Sequence, residues 1–255
     1  MKTKGNTILI TGGGSGIGQA LAHRFHDAGN KVIVAGRRRE ALVDTIEGRA
    51  DMHAIELDVT SPEGIADFAD RLLAEHPDVN VLINNAGIMR IEPLDHARDL
   101  TDAEATVTTN LLGPIRLINA LIDHLVEQPD AVIVNVSSGL AYVPLVAAPT
   151  YNATKAGIHS YTVSLRYALG DRVEIIELVP PAVQTSLTPG QETREGYLPL
   201  DDFIDEVMTL FGQSPTPREI LVQRVGFLRN AERENRFDQT LSTLNTPHTE
   251  TGSNE

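Results

Sequence analysis

Tyr151 and Lys155 stand four apart in the run Pro149-Thr-Tyr-Asn-Ala-Thr-Lys-Ala-Gly157. On a helix that spacing stacks two side chains on one face. An ammonium beside a phenol favours the charged phenolate and so lowers the phenol's pKa. A phenol tuned in this way can hand a proton to a carbonyl oxygen or take one from an alcohol. Lysine occurs only at positions 2, 4, 31 and 155. A Tyr-x-x-x-Lys pair alone also describes an ordinary helical surface pair, so its meaning depends on its surroundings.

A carbonyl under attack develops negative charge on oxygen, so hydrogen-bond donors must converge there. Ser137 and Ser138 follow the apolar strand Ala131-Val-Ile-Val-Asn-Val136, at the carboxyl edge where open parallel sheets bind ligands. Strand alternation sends the two in opposite directions, so only one can face a substrate.

Near the N-terminus the apolar run Asn6-Thr-Ile-Leu-Ile-Thr11 leads into Gly12-Gly-Gly-Ser-Gly16-Ile-Gly18 and then a helical pattern. Glycines in that context let the backbone approach a pyrophosphate, whose charge sits on the free N–H groups of the helix start. Ser15 adds a hydroxyl donor or caps the helix. After the second strand, Lys31-Val-Ile-Val-Ala-Gly36, an acidic residue would hold a free ribose 2′-hydroxyl. Arg37, Arg38 and Arg39 stand there instead. A guanidinium suits a 2′-phosphate, so Arg37 is expected to make NADP(H) the cofactor, with NAD(H) as the alternative; Arg39 reads as solvated.

These sites need a scaffold that brings strand ends together. Apolar strands at 7–11, 31–36, 53–57, 79–84, 131–137 and 173–179 alternate with helical patterns near 17–28, 39–47, 62–75, 100–125 and 150–169. That alternation predicts an α/β fold with a doubly wound parallel sheet flanked by helices on both faces. The length of 255 residues fits one domain over 1–244. A polar tail over 245–255 reads as disordered.

With these motifs in hand, the chain resembles the short-chain dehydrogenase/reductase family in its single-domain branch, over roughly residues 6 to 190. The resemblance rests on Thr11-Gly12-x-x-x-Gly16-x-Gly18, Leu57-Asp58-Val59, Asn84-Asn85-Ala86-Gly87, Asn110, Ser137-Ser138, Tyr151-x-x-x-Lys155 and Pro180 through Thr185. It implies a Rossmann-like sheet and hydride transfer between a nicotinamide and a carbonyl or alcohol carbon. It implies Tyr151 as the acid/base, with Lys155 lowering its pKa and bonding the nicotinamide ribose. Of the two serines the family pattern selects Ser138, which would orient the substrate oxygen and leaves Ser137 as a buried hydroxyl bonded to backbone. Asn110 would hold a relay water through its backbone. Gly12, Ser15, Gly16, Ile17 and Gly18 would cradle the pyrophosphate. Asp58 and Val59 would flank the adenine, Asn84, Ala86 and Gly87 would line the cofactor trough, and Val183 and Thr185 would contact the carboxamide. Read without the family, Asn84 and Asn110 are equally capping or turn residues.

Two features depart from the family pattern. Pro180-Pro181 stands where Pro-Gly is usual, which removes an N–H donor. No final strand is legible, and Thr216 to Leu244 reads helical, so the sheet is expected to have six or seven strands. The substrate pocket is expected between Ile88-Met-Arg90, Gly139 to Val146 and a lid over about 186–215. It should take a mostly apolar carbonyl or secondary alcohol, with Arg90 and Arg194 available to a carboxylate. The helices at 100–125 and 150–169 carry excess apolar residues; the resemblance implies that these pack against their mates in a homodimer, whereas read without the family most of them are core.

Composition excludes several other classes. Zero cysteines rule out disulfides, thiol catalysis and cysteine-ligated zinc. The histidines show no metal pattern: His23 and His26 sit three apart on the first helix without a third ligand nearby. The net charge of −14 argues against nucleic acid as a partner. Without a run of about 18 apolar residues or a secretory leader, the expected location is the cytoplasm, with no membrane partner. A nucleotide-binding regulator that does no chemistry is the competing reading, and the retention of Ser138, Tyr151 and Lys155 argues against it.

Overall fold

Apolar β-branched runs become strands, and the amphipathic stretches between them become the helices that cover the sheet. The computed structural model describes residues 1–246. In chain order the elements are β1 (Thr7–Thr11), α1 (Gly16–Asp27), β2 (Lys31–Gly36), α2 (Arg39–Ile46), β3 (Met52–Glu56), α3 (Pro62–Glu75), β4 (Val81–Asn84) and α4 (Thr101–Val107). They continue with α5 (Gly113–Leu125), β5 (Val132–Val136), α6 (Pro149–Leu169), β6 (Glu174–Val179), α7 (Leu200–Phe211), β7 (Glu219–Leu221), α8 (Gly226–Arg229) and α9 (Phe237–Asn245).

The seven strands form one sheet in the order β3-β2-β1-β4-β5-β6-β7, and every pairing is parallel. Strand order reverses direction between β1 and β4, and a crevice opens at the carboxyl ends of strands at such a switch point. Alternation divides the core between the two faces. Ile8 and Ile10 pack with Leu21, Phe25, Phe203 and Val207, while Leu9 packs with Phe68, Leu72 and Leu117. Among the described residues no helix is long and apolar enough to cross a membrane.

Of the six or seven strands expected, seven form: β7 pairs with β6 in the register Leu178↔Ile220. The three residues of β7 are too few to show a period-2 pattern. Other expectations are corrected. The helical reading of 216–244 holds only for α8 and α9. The single helix expected over 100–125 is interrupted by a π-helical turn at Thr108–Leu112. Pro114, in the first turn of α5, has no N–H for an α-helical ladder, and the Gly113 N–H reaches back to Thr108 O.

The stretch read as a lid over 186–215 also ends early. Leu200–Phe211 is a helix whose Phe203, Ile204, Val207 and Phe211 lie in the core, with Phe211 edge-on to Phe25 at 5.5 Å between ring centroids. Only the segment up to Pro199 is a loop. It is braced by Gln184 N–H to Leu198 O (2.8 Å) and Leu198 N–H to Ala182 O (2.9 Å). At the C-terminus Asn245 belongs to α9 and is anchored, its Oδ1 accepting from Val146 N at 2.7 Å. Residues 247–255, the rest of the tail read as disordered, lie outside the described residues.

Candidate active site

A cleft of about 440 Å³ runs across the carboxyl ends of the strands at the switch point. One end is built by the glycine loop. Gly16 has φ +53°, a left-handed conformation that glycine adopts at no steric cost, and this turns the chain into α1. Gly18 is needed for space, since a Cβ there would lie 2.4 Å from Gly12 O and 2.5 Å from Asn85 Nδ2. Gly12, Ser15, Gly16 and Ile17 line the cleft, whereas Gly18 lies behind that wall. Ser15 occupies the N-cap position of α1 but makes no side-chain capping bond; its hydroxyl accepts from Arg38 Nη2 at 3.2 Å.

Arg37 and Arg38 both line the far end of this cleft. Arg39 turns away toward Glu56, 3.8 Å distant and exposed. Val59 lies on the cleft wall, and Asp58 is exposed beside it. Burial acts to raise the Asp58 carboxyl. Two hydrogen bonds from Thr60 and the charge of Arg37 outweigh this and hold it below its ordinary value.

The turn after β4 contains two adjacent asparagines with different positions. Asn84 is buried and donates to Asn135 Oδ1 (2.9 Å), and Asn135 in turn donates to Thr162 Oγ1 (2.9 Å). Asn84 therefore ties the sheet to α6 and is not on the cleft wall, contrary to its expected role. Asn85 lines the cleft instead and donates to Thr11 O at 3.0 Å, fixing the start of the glycine loop. Ala86 and Gly87 continue the wall.

The other end of the cleft holds Ser138, Tyr151 and Lys155. Tyr151 and Lys155 project from one face of α6 and are 7 % and 5 % exposed. The Lys155 ammonium donates to Val136 O at 2.8 Å and lies 5.5 Å from the centre of the Tyr151 ring. Burial dominates both groups. It pushes the phenol up to about 12, against the pull of the Ser138 hydroxyl, and the ammonium down to about 8, against the charge of Glu177. The net shift of Tyr151 is thus upward where a lowering was expected: desolvation dominates, and the Lys155 ammonium is bonded to a backbone carbonyl. Ser138 Oγ accepts from Leu140 N (3.1 Å), which leaves its proton free to donate into the cleft.

Asn110 sits in the π-helical turn, a feature often found at functional sites. Its side chain clasps Ile88, accepting from Ile88 N (2.9 Å) and donating to Ile88 O (2.8 Å). Asn110 thereby fixes the chain leaving Gly87, and the side chain itself does not line the cleft. Across the opening, Val183 and Thr185 line the cleft with Pro181. Gln191, unnoticed in the sequence, holds both by donating to Val183 O (2.8 Å) and Thr185 Oγ1 (3.1 Å).

A second polar cluster lies beside the face of α6 that carries Tyr151 and Lys155. Ser137 donates to Glu177 Oε1 at 2.5 Å, so its partner is a buried carboxylate and not the backbone expected. His159 and Tyr142 bond the same carboxylate, at 2.8 and 3.3 Å. The ligand atoms of His159, Glu177 and Glu219 lie within 4.8 Å of one another, a grouping invisible in the sequence because it joins α6, β6 and β7. Arg229 already supplies a cation there, forking onto Glu219 at 3.0–3.1 Å. His23 and His26 each bond a backbone carbonyl.

Comparison with known proteins sharpens this geometry. The family model described as short chain dehydrogenase matches residues 6–196. Over 250 residues the chain is 36 % identical to the uncharacterized oxidoreductase DltE of Bacillus subtilis, covering 96 % of this chain and 99 % of the relative. It is 31 % identical over 179 residues to the NADP-dependent 3-hydroxy acid dehydrogenase YdfG of Shigella flexneri, covering 69 % and 72 %. Among solved structures, a short chain dehydrogenase from Burkholderia cenocepacia in complex with NADP superposes with a TM-score of 0.80 at 26 % identity, covering 97 % of this chain and 100 % of that one.

Proposed function

Because this chain belongs to the short-chain dehydrogenase family and is an NAD(P)-dependent oxidoreductase, we propose that it transfers hydride between NADP(H) and a carbonyl or secondary alcohol, with Tyr151 as the acid/base. The observation that carries this reading is one continuous cleft, with the glycine loop and two arginines at one end and Ser138, Tyr151 and Lys155 at the other. The glycine turn at the start of α1 suits a pyrophosphate, and Arg37 and Arg38 suit a 2′-phosphate. The nicotinamide, when bound, supplies or accepts the hydride.

The chain's own residues do the rest. In reduction the Ser138 hydroxyl donates to the substrate oxygen and steadies the charge growing there. Tyr151 then delivers the proton. Lys155, as an ammonium, steadies the phenolate left behind. Asn110, by clasping Ile88, fixes the wall beside the reacting oxygen, and a relay water held by its backbone would return a proton toward Lys155. Asp58 and Val59 would flank the adenine, and Val183 and Thr185, braced by Gln191, would hold the nicotinamide end. Pro181, Ile88 and Leu187 on the wall favour a mostly apolar substrate, and the loop from Ser186 to Pro199 acts as its lid.

Titrating the protein with NADPH and NADH, followed by nicotinamide fluorescence, tests the cofactor assignment. We expect NADPH to bind at least about tenfold tighter, the worth of one charge-assisted contact. Tighter binding of NADH would overturn the arginine assignment, and binding of neither would overturn the enzyme reading. A homodimer is proposed from the exposed Val107, Leu112, Val163 and Tyr167 of the α4–α6 region. Sedimentation showing only monomer at micromolar concentration would remove it.

A further inference from the structure

We infer that Glu177 is a positioning residue that keeps Lys155 protonated, its carboxylate being held beside the catalytic face of α6 by Ser137, His159 and Tyr142. The inference rests on the proposed roles of Tyr151 and Lys155, which it deepens.

Glu177 has no exposed surface, and it stands between Ile176 and Leu178 of β6, whose only other polar residue is the half-buried Glu174 at its start. A buried carboxylate is costly unless it is hydrogen-bonded and paired, so a strand that needed only stability would carry an aliphatic residue here. The surroundings supply those bonds. Ser137 Oγ, at the end of β5, and the Tyr142 hydroxyl donate to it, and His159 bonds its second oxygen.

The cluster adjoins the catalytic pair directly. Tyr151, Lys155 and His159 follow at i, i+4 and i+8, one stripe on α6. The carbonyl that Lys155 bonds belongs to Val136, the residue before Ser137. Every charged or titratable group facing Glu177 can be accounted for: Lys155 and His159 from α6, Tyr142 after β5, Glu219 from β7 and Arg229 from α8. Arg229 is engaged with Glu219. Among the described residues Glu177 has no arginine or lysine within ion-pair distance, its only such partner being His159. Tyr142 is pushed upward by burial and by Glu177 and Glu219, so it stays a neutral donor. His159 is raised by its bond to Glu177 and retains its proton to a higher pH than a free histidine.

Once His159 has given up its proton, Glu177 is a negative charge without a cationic partner beside the catalytic pair, and it opposes the desolvation that would otherwise strip the proton of Lys155. The sign follows: removing Glu177 lowers the pH at which Lys155 loses its charge. Above that pH the ammonium no longer steadies the Tyr151 phenolate.

The test needs neither substrate nor cofactor. With lysine only at 2, 4, 31 and 155, protein labelled with 13Cε-lysine gives few NMR signals, and Lys155→Met identifies the one of interest. In the unaltered protein that signal should titrate near 8. In Glu177→Gln its midpoint should fall by about one pH unit, the scale of a close charge. Because Gln leaves Ser137 and His159 facing an amide, Glu177→Met is measured alongside it; apolar replacements of similar volume at buried charged sites are often well tolerated. An unchanged midpoint in either folded variant would overturn the inference. If NADPH still binds to that variant, the failure belongs to Glu177 alone, whereas loss of NADPH binding by the unaltered protein would undo the functional reading beneath it.

Discussion

Replacing Tyr151 with Phe should lower kcat by about 10³-fold, within the span attributed to a positioned general acid, and leave NADPH affinity within about twofold. The two readouts separate because the variant deletes one hydroxyl and keeps the ring. The ring is almost wholly buried in α6, so Phe fills the same space and the cleft wall keeps its shape. What is lost is the proton that must reach the substrate oxygen as hydride arrives. Burial holds that proton on the phenol up to about 12, so in reduction Tyr151 is in the correct state at neutral pH. The alkaline limb of the rate therefore belongs to Lys155, which loses its charge near 8; the rate should be level below that pH and fall above it. Steady-state rates of NADPH consumption across a panel of apolar ketones and aldehydes, with fluorescence titration in parallel, check both parts. A Phe variant that kept more than about a tenth of the activity would show that the proton comes from elsewhere.

How much of this was legible in the sequence depended on how local each signal is. The glycine loop, the six longer strands and the Tyr-x-x-x-Lys pair are each encoded within a few neighbouring residues. Strand bounds read from β-branched runs agree with the structure to within two residues. Doublets were harder. Asn84-Asn85 and Ser137-Ser138 each present two identical side chains to opposite sides of a strand end, and composition cannot say which side is the cleft. Asn84 was assigned to the trough, yet its amide is used inside the sheet by Asn135. Partners distant in sequence were invisible altogether. Gln191 reaches Val183 and Thr185 through a loop fold that no periodicity predicts. Glu177 offered a readable anomaly, a carboxylate between Ile176 and Leu178 in the run Glu174-Ile-Ile-Glu-Leu-Val179, but its meaning depends on His159 and Ser137 from other elements. Nor could spacing reveal that burial raises the Tyr151 phenol, since desolvation is a property of the assembled fold.

Arg37→Asp should shift cofactor choice by about 100-fold or more away from NADPH, through loss of a charge-assisted contact and gain of a repulsion. The substituted carboxylate would stand at the end of β2, where an acidic residue holds a free ribose 2′-hydroxyl, so NADH binding should hold or improve while NADPH binding falls. The surroundings amplify the change. Arg37 is the cation whose charge helps keep the neighbouring Asp58 carboxyl low; with Asp at 37, two carboxylates would confront a 2′-phosphate, with Arg38 the one arginine left on the cleft wall to offset its charge. Arg38 is the residue that could blunt the effect, because it lines the same end of the cleft and already reaches Ser15. Arg38→Ala should therefore weaken NADPH without reversing the preference, and the double variant should exceed Arg37→Asp alone. Fluorescence titration of the three variants with both nucleotides measures each ratio. A ratio unmoved by Arg37→Asp but collapsed by Arg38→Ala would transfer the phosphate contact one residue along the chain. A ratio unmoved by either would mean that this end of the cleft does not distinguish the two nucleotides, and the choice of NADP(H) would have no residue left to make it.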